Sequence, residues 1–191
     1  MGFKDALFGR RKVKSFAAAD RLFAITTAAI TLETANSIRC DGAAAIVFQR
    51  LDTGAFAEIV AEMEEVVRST GTETGTTIES RDDELGYRWM VLRDPDIDDL
   101  TVGVNAVSDA IQLGGYGERV LCAVFAFRDG DDKPIYFIYN YKRGYWYPFV
   151  PGPGKHERLN QRELQVKAQI GNELPLEPEL ERWFPLWGIP I

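Results

Sequence analysis

The stretch YNYKRGYWYPFVP, residues 139–151, decides more of the fold than any other part of the chain. It holds six aromatic residues and two cations in thirteen positions. The dipeptide Arg143-Gly144 favours a tight turn, and the runs on either side are typical of β-strands, so the stretch predicts a hairpin. The second strand is expected to end near Pro148 and Pro151, because proline has no N–H to donate to a neighbouring strand.

The aromatic side chains of this hairpin have two interpretations. As core residues, alternate tyrosines of the two strands pair across one face of the sheet. As surface residues, the rings beside Lys142 and Arg143 form the mixture of aromatic groups and cations that is common at protein interfaces. Stacking of single-stranded bases is a third use of such a hairpin. However, the chain's net charge of −7 disfavours contact with phosphates, so we predict no nucleic-acid partner.

Hydrophobic periodicity along the rest of the chain predicts an α+β domain. From residue 43 onward the elements follow the order β-α-β-β-α-β, with extra strands and a C-terminal helix behind them. This is the ferredoxin-like order, in which helices pack on one face of a mostly antiparallel sheet. A secretion-chaperone-like α+β arrangement is the alternative. The predicted strands are 43–49, 76–80, 87–92, 120–127 and 135–141, and the predicted helices are 56–68, 94–113 and 157–170. The apolar positions of the last helix are Leu159, Leu164, Val166 and Ile170.

The N-terminal segment differs in charge from the rest of the chain. Residues 1–21 carry a net charge of +4, so the total of −7 leaves −11 on the remainder. We therefore predict a basic amphipathic lead at 1–15 and a single α+β domain at 16–191, whose first helix is capped by Ser15 and begins near Phe16. The lead is expected to make weak contact with an anionic membrane, and a solvated tail is the alternative. The residues predicted to face the membrane are Phe3, Leu7, Phe8, Arg10, Arg11, Lys12 and Lys14.

The last segment of the chain, 174–191, contains four prolines together with Trp183, Phe184 and Trp187. A free tail would not normally expose such residues, so we expect this segment to pack. The sequence leaves open whether it packs on its own chain or on a neighbouring one.

Residues suited to catalysis or metal binding are few. His156 is the only histidine, and neither Cys40 nor Cys122 has a partner at a metal-ligand spacing. No serine-centred nucleophile motif appears, and the carboxylates are too numerous for one pair to be nominated as acid and base. We therefore expect no enzyme activity, no metal site and no cofactor. An uncharacterised enzyme that uses carboxylates is the alternative.

The cellular location is predicted from what the sequence lacks. No apolar run approaches the ~20 residues that a membrane-spanning helix needs. Two cysteines cannot form a disulfide-rich framework. These features indicate a cytoplasmic protein, peripheral to the inner face of the membrane if its basic lead binds there.

Several blocks of sequence carry a family resemblance. They are MGF at 1–3 with LFGR at 7–10, AAITLE at 28–33, GYRW at 86–89, YKRG at 141–144 with YPF at 147–149, ELQV at 163–166, and ELERWFPLWG at 179–188. In this order the chain resembles the PspA-associated protein PspAB family over nearly its whole length. The resemblance implies association with PspA, the coiled-coil protein that binds stressed membranes in the phage shock response. It implies no catalytic residues.

The leading hypothesis is a non-enzymatic cytoplasmic adaptor of a PspA-type envelope-stress response that acts by protein–protein contact. A type-III-secretion-like chaperone for extended protein segments is the first alternative, and it also implies a homodimer. The residues predicted to contact the partner are Lys142, Arg143, Tyr145, Trp146, Trp183 and Trp187.

Overall fold

In residues 3–191, whose backbone this computed structural model describes, the chain forms four α-helices and a six-stranded sheet. Side chains are described from residue 20 onward, apart from residues 66, 67 and 70–74. The helices are α1 (Phe3–Asn36), α2 (Gly54–Thr74), α3 (Ile97–Leu113) and α4 (Asn160–Ile170). The strands are β1 (Arg39–Gln49), β2 (Thr77–Asp82), β3 (Tyr87–Arg93), β4 (Val120–Arg128), β5 (Pro134–Asn140) and β6 (Tyr145–Phe149).

The sheet confirms the predicted α+β class. Its strands lie in the order β2-β3-β1-β4-β5-β6, and each neighbouring pair is antiparallel. The predicted aromatic hairpin is β5 and β6, in which Tyr139 pairs with Trp146. Gly144 lies in the turn with a φ of 68°, a conformation that glycine adopts at little cost because it has no Cβ. β6 ends at Phe149, directly after Pro148.

Different parts of the chain cover the two faces of the sheet. On one face, the four helices pack over large side chains that include Phe48 and Phe125, both fully buried. On the other face, Val91 and Val124 are buried in a second cluster that includes Trp183 from the C-terminal segment. Burial on both faces explains why β1 and β4 are continuous apolar runs in the sequence instead of alternating ones.

The first helix is longer than the sequence predicts. α1 runs from Phe3 to Asn36 without interruption, so Ser15 lies inside the helix and does not cap it. The helix-favouring Ala17, Ala18 and Ala19 follow one residue after Ser15, and a cap residue does not start a helix where the chain is already helical. The described half of α1 is held by a buried stripe in which Leu22, Ile25 and Leu32 are at most 1% exposed.

The last helix is shorter than predicted, and its inward face differs from the prediction. It begins at Asn160, and Glu163 is 2% exposed whereas Leu164 is 46% exposed. The carboxylate of Glu163 accepts the backbone N–H of Val150 at 2.9 Å and pairs with Arg158 at 2.8 Å. Because these partners satisfy its charge, a glutamate occupies a position that periodicity assigns to an apolar residue.

Trp146 joins the edge of the sheet to the first helix, so substitutions of this residue test the fold. Its indole Nε1–H donates to the backbone oxygen of Arg21 at 2.7 Å, and its ring centre lies 5.6 Å from that of Phe125. We predict that Trp146→Ala lowers the free energy of unfolding by about 3–5 kcal/mol, because it leaves a cavity in the core. Trp146→Phe keeps an aromatic ring and should cost less.

Urea denaturation followed by circular dichroism measures both losses. A loss below about 1 kcal/mol for Trp146→Ala, or the same loss for both variants, would contradict the buried position of this ring.

Candidate protein-contact site

The turn of the β5–β6 hairpin is fastened to α1 through Arg21. The guanidinium group of Arg21 donates from Nη1 to the backbone oxygen of Gly144 at 3.2 Å, and its carbon Cζ lies 5.2 Å from the centre of the Tyr145 ring. The indole of Trp146 donates back to the carbonyl oxygen of Arg21. Three consecutive hairpin residues therefore contact one arginine of α1, and they hold the turn in a fixed orientation.

The same turn is joined to the C-terminal segment by an ion pair. Arg143 donates from Nε to Oε2 of Glu177 and from Nη2 to its Oε1 at 3.0 Å. Nη2 also donates to Glu179 at 3.2 Å. The Glu177 side chain is 2% exposed and that of Arg143 is 32% exposed. The hydrogen bonds from Arg143 hold the pKa of Glu177 below its usual value, although burial opposes this shift.

The backbone of the C-terminal segment extends the sheet beside this ion pair. The N–H of Trp146 donates to the carbonyl oxygen of Pro175 at 2.9 Å, and the N–H of Glu177 donates to the carbonyl oxygen of Trp146 at 2.8 Å. Leu176 forms a parallel bridge with Trp146 at the outer edge of β6. These bonds satisfy backbone groups that an edge strand would otherwise leave open.

Beyond Glu177 the segment packs on the second face of the sheet. The Trp183 ring stacks on Tyr147 with 6.4 Å between ring centres, and its Nε1–H donates to the carbonyl oxygen of Glu177 at 3.0 Å. Trp187 lies edge-on to Phe149 with 5.2 Å between ring centres. The segment therefore packs on its own chain, which the sequence had left open.

The outer side of the segment exposes three apolar side chains, which we call the tail surface. Leu180 is 45% exposed, Phe184 is 56% exposed and Trp187 is 37% exposed. Because their backbone is fixed by the Glu177 bonds and the Trp183 stack, these side chains are presented on a rigid base. Large apolar side chains that stay exposed on a fixed segment are candidates for an interaction site.

The structure brings together the predicted hairpin and tail residues but exposes only some of them. Lys142 is exposed at the turn, and Arg143 and Tyr145 are half-buried beside it. Trp146 is 0% exposed and Trp183 is 3% exposed, so both rings lie inside the molecule. The predicted membrane-facing side chains lie outside the described side chains; they are Phe3, Leu7, Phe8, Arg10, Arg11, Lys12 and Lys14.

Sequence reasoning missed two residues that build this site, Arg21 and Glu177. Arg21 resembles an ordinary exposed helix residue, and no local signal distinguishes it. Glu177 carried only a weak signal: it lies between Leu176 and Pro178, but Glu179 and Glu181 follow it at once, so the sequence does not single out the buried carboxylate.

Groups with chemical reactivity are sparse among the side chains that the structure describes. Within that part of the chain, no group of three or more His, Cys, Asp or Glu residues could hold a metal ion. Burial raises the pKa of the Cys122 thiol to about 12, so this sulfur stays protonated at neutral pH.

Among the described residues, no helix has both the length and the apolar content to cross a membrane.

A protein-family model matches the whole chain. It is the PspAB family, described as PspA associated protein B, and the match covers residues 1–191. Neither the curated proteins nor the solved structures contain a significant match.

The Arg143–Glu177 pair makes a testable contribution to stability. We predict that Arg143→Ala lowers the free energy of unfolding at neutral pH by roughly 1–3 kcal/mol, because it leaves the Glu177 carboxylate buried without its cation. A larger loss is not expected, since about a third of the Arg143 side chain meets solvent. Lys142→Ala is the matched control, because Lys142 is an exposed cation of the same turn.

The pH dependence follows from the lowered pKa of Glu177. The pair stabilises the fold above the pKa of an unfolded glutamate, about 4.3, and its contribution disappears as the pH falls through the lower pKa of the folded state. Urea titrations at neutral pH and well below pH ~4 should therefore show that the difference in unfolding free energy between wild type and Arg143→Ala is smaller in acid. A difference that does not change with pH, or an equal difference for Lys142→Ala, would contradict this assignment.

Proposed function

This chain belongs to the PspA associated protein B (PspAB) family, and we propose that it is a non-enzymatic accessory protein that binds PspA directly in the cytoplasm. In this role it is an adaptor of an envelope-stress response. The observation that carries the proposal is the tail surface, three exposed apolar side chains on a segment that the Arg143–Glu177 pair joins to the hairpin turn.

The rigidity of this surface supports a binding role. Ordering a flexible segment on binding costs free energy, and a segment that is already fixed avoids that cost. Leu180 and Phe184 are held in place by the neighbouring Trp183 and Glu177, which do not themselves need to contact the partner. The buried tryptophans thus position the contact site, and the exposed side chains would make the contact.

Charge supports a partner with a basic region. The chain carries a net charge of −7, so a partner surface of opposite sign is attracted to it and orients before contact. The coiled-coil partner that the family resemblance implies would offer helical surfaces, on which apolar and charged positions alternate around the helix. The exposed Lys142 would meet an acidic position at the edge of the contact.

The basic N-terminal segment adds a second element to the proposal. Residues 1–21 carry a net charge of +4, and each cation contributes about 1 kcal/mol when it lies near an anionic membrane surface. This attraction would be weak and sensitive to salt. When the segment makes no other contact, this attraction would keep the adaptor near the membrane on which PspA acts.

Direct binding is tested with the purified full-length chain and the PspA of the same organism, in solution and without lipid. Isothermal titration calorimetry should show saturable binding at micromolar concentration or tighter. The double variant Leu180→Ser with Phe184→Ser should weaken binding at least about tenfold, because central apolar side chains carry most of the free energy of an interface. Leu85→Ser is the matched control: Leu85 is 81% exposed, in the turn between β2 and β3.

The two parts of the proposal fail separately. If folded PspA does not bind the wild-type chain, the accessory role by direct contact is wrong. If PspA binds the wild type and the tail-surface variant equally well, the role stands and the tail surface is excluded as the contact.

A further inference from the structure

A second apolar surface lies between α2 and α3, and the function proposed above does not use it. It is a groove of about 320 Å³, which we call the α2–α3 groove. Leu113 at its edge is 89% exposed, far more than a leucine on a covered helix face. The residues that line the groove include Ile59 and Met63 of α2 and Ala106, Ala110 and Leu113 of α3.

Small residues on α3 give the groove its shape. Ala106, Ala110 and Gly114 follow one another at intervals of four, so they lie along one side of the helix. At Gly114, just past the end of α3, the side chain of Ile59 fills the space that a Cβ would occupy. The small side chains of Ala106 and Ala110 leave the rest of the groove open to an apolar side chain of another helix. From Ala106 to Gly114 the lining of the groove is about 12 Å long at the rise of an α-helix.

The rim of the groove is acidic. Glu58, Glu62 and Glu65 follow one another on α2 at helical spacing, and Glu62 lines the groove. Asp109 lies on α3 and is exposed. Glu65 pairs with Arg68 at 3.2 Å, which offsets part of this charge. An occupant of the groove therefore needs an apolar helical face with basic residues beside it.

The N-terminal segment of this same chain has that chemistry. Residues 3–14, FKDALFGRRKVK, carry five cations and one acid, with Phe3 and Leu7 at helical spacing. The segment is twelve residues long, so as part of α1 it extends about 18 Å, which is long enough to span the groove. Its net charge is opposite in sign to that of the rim.

We propose that the N-terminal segment of one chain docks in the α2–α3 groove of a second copy. Because α1 continues as one helix from Phe3 to Asn36, the segment does not fold back on its own chain as a separate helix. If both copies exchange their segments, both grooves are filled and the dimer is closed by two-fold symmetry. This inference does not rest on the binding of PspA.

The test measures the mass of the full-length chain by sedimentation equilibrium at micromolar concentration. At about 0.05 M salt the chain should be a dimer, and at about 1 M salt, where charges are screened beyond ~3 Å, the dimer should weaken at least tenfold. Ala110→Trp fills the groove without changing charge, and it should give a monomer at both salt concentrations. Circular dichroism confirms that each variant is folded.

Charge reversal identifies the two surfaces that meet. A groove variant carries Glu58→Lys and Glu62→Lys, and a segment variant carries Arg10→Glu, Arg11→Glu and Lys12→Glu. Each variant alone pairs like charges and should be a monomer. An equimolar mixture pairs opposite charges at both contacts, so it should form a heterodimer.

The matched control carries Glu84→Lys and Glu173→Lys, which reverse two exposed acids outside the groove, and it should dimerise like wild type. A chain that is monomeric under all conditions would overturn the proposal, as would a dimer that the reversals do not affect or a mixture that fails to associate. A monomer that binds anionic lipid vesicles through residues 10–14 would assign the segment to a membrane and also overturn it.

Discussion

The buried carboxylate of Glu177 needs a cation, and Arg143 at the hairpin turn supplies it. This pair determines the path of the last part of the chain, because it fixes the segment beside β6 before the segment reaches the second face of the sheet. Trp183 can then stack on Tyr147, and the following residues cover a face that would otherwise expose a large apolar area. The ion pair of Glu177 thus positions the apolar residues of the C-terminal segment that cover the second face of the sheet.

The sequence predicted the local parts of this arrangement. A turn dipeptide between two strand-favouring runs is a local pattern, so the hairpin at Arg143-Gly144 could be recognised without the rest of the fold. The α+β class followed from the order of apolar patterns. The strand order and the path of the tail could not be predicted, because they depend on pairs far apart in sequence, such as Arg143 with Glu177 and Trp146 with Arg21.

Two errors of prediction have the same physical origin. Glu163 occupies an inward position of α4 because Arg158 and a backbone N–H satisfy its charge, and periodicity alone cannot reveal such partners. Ser15 has the identity of a helix cap, yet α1 passes through it because helix-favouring residues lie on both sides. In both cases the surroundings of a residue override its average preference. Among the candidate contact residues, the same effect places Trp146 and Trp183 inside the molecule.

The proposed contact surface is rigid only if the C-terminal segment is fixed on its own chain. Amide hydrogen exchange of the isolated full-length protein at low concentration measures whether it is fixed. The N–H of Trp146 and the N–H of Glu177 each donate a hydrogen bond between β6 and the C-terminal segment. Both should therefore exchange slowly and only through large-scale unfolding. If the N–H of Glu177 exchanges as fast as it would in an unfolded peptide, the segment is not fixed and the account is wrong.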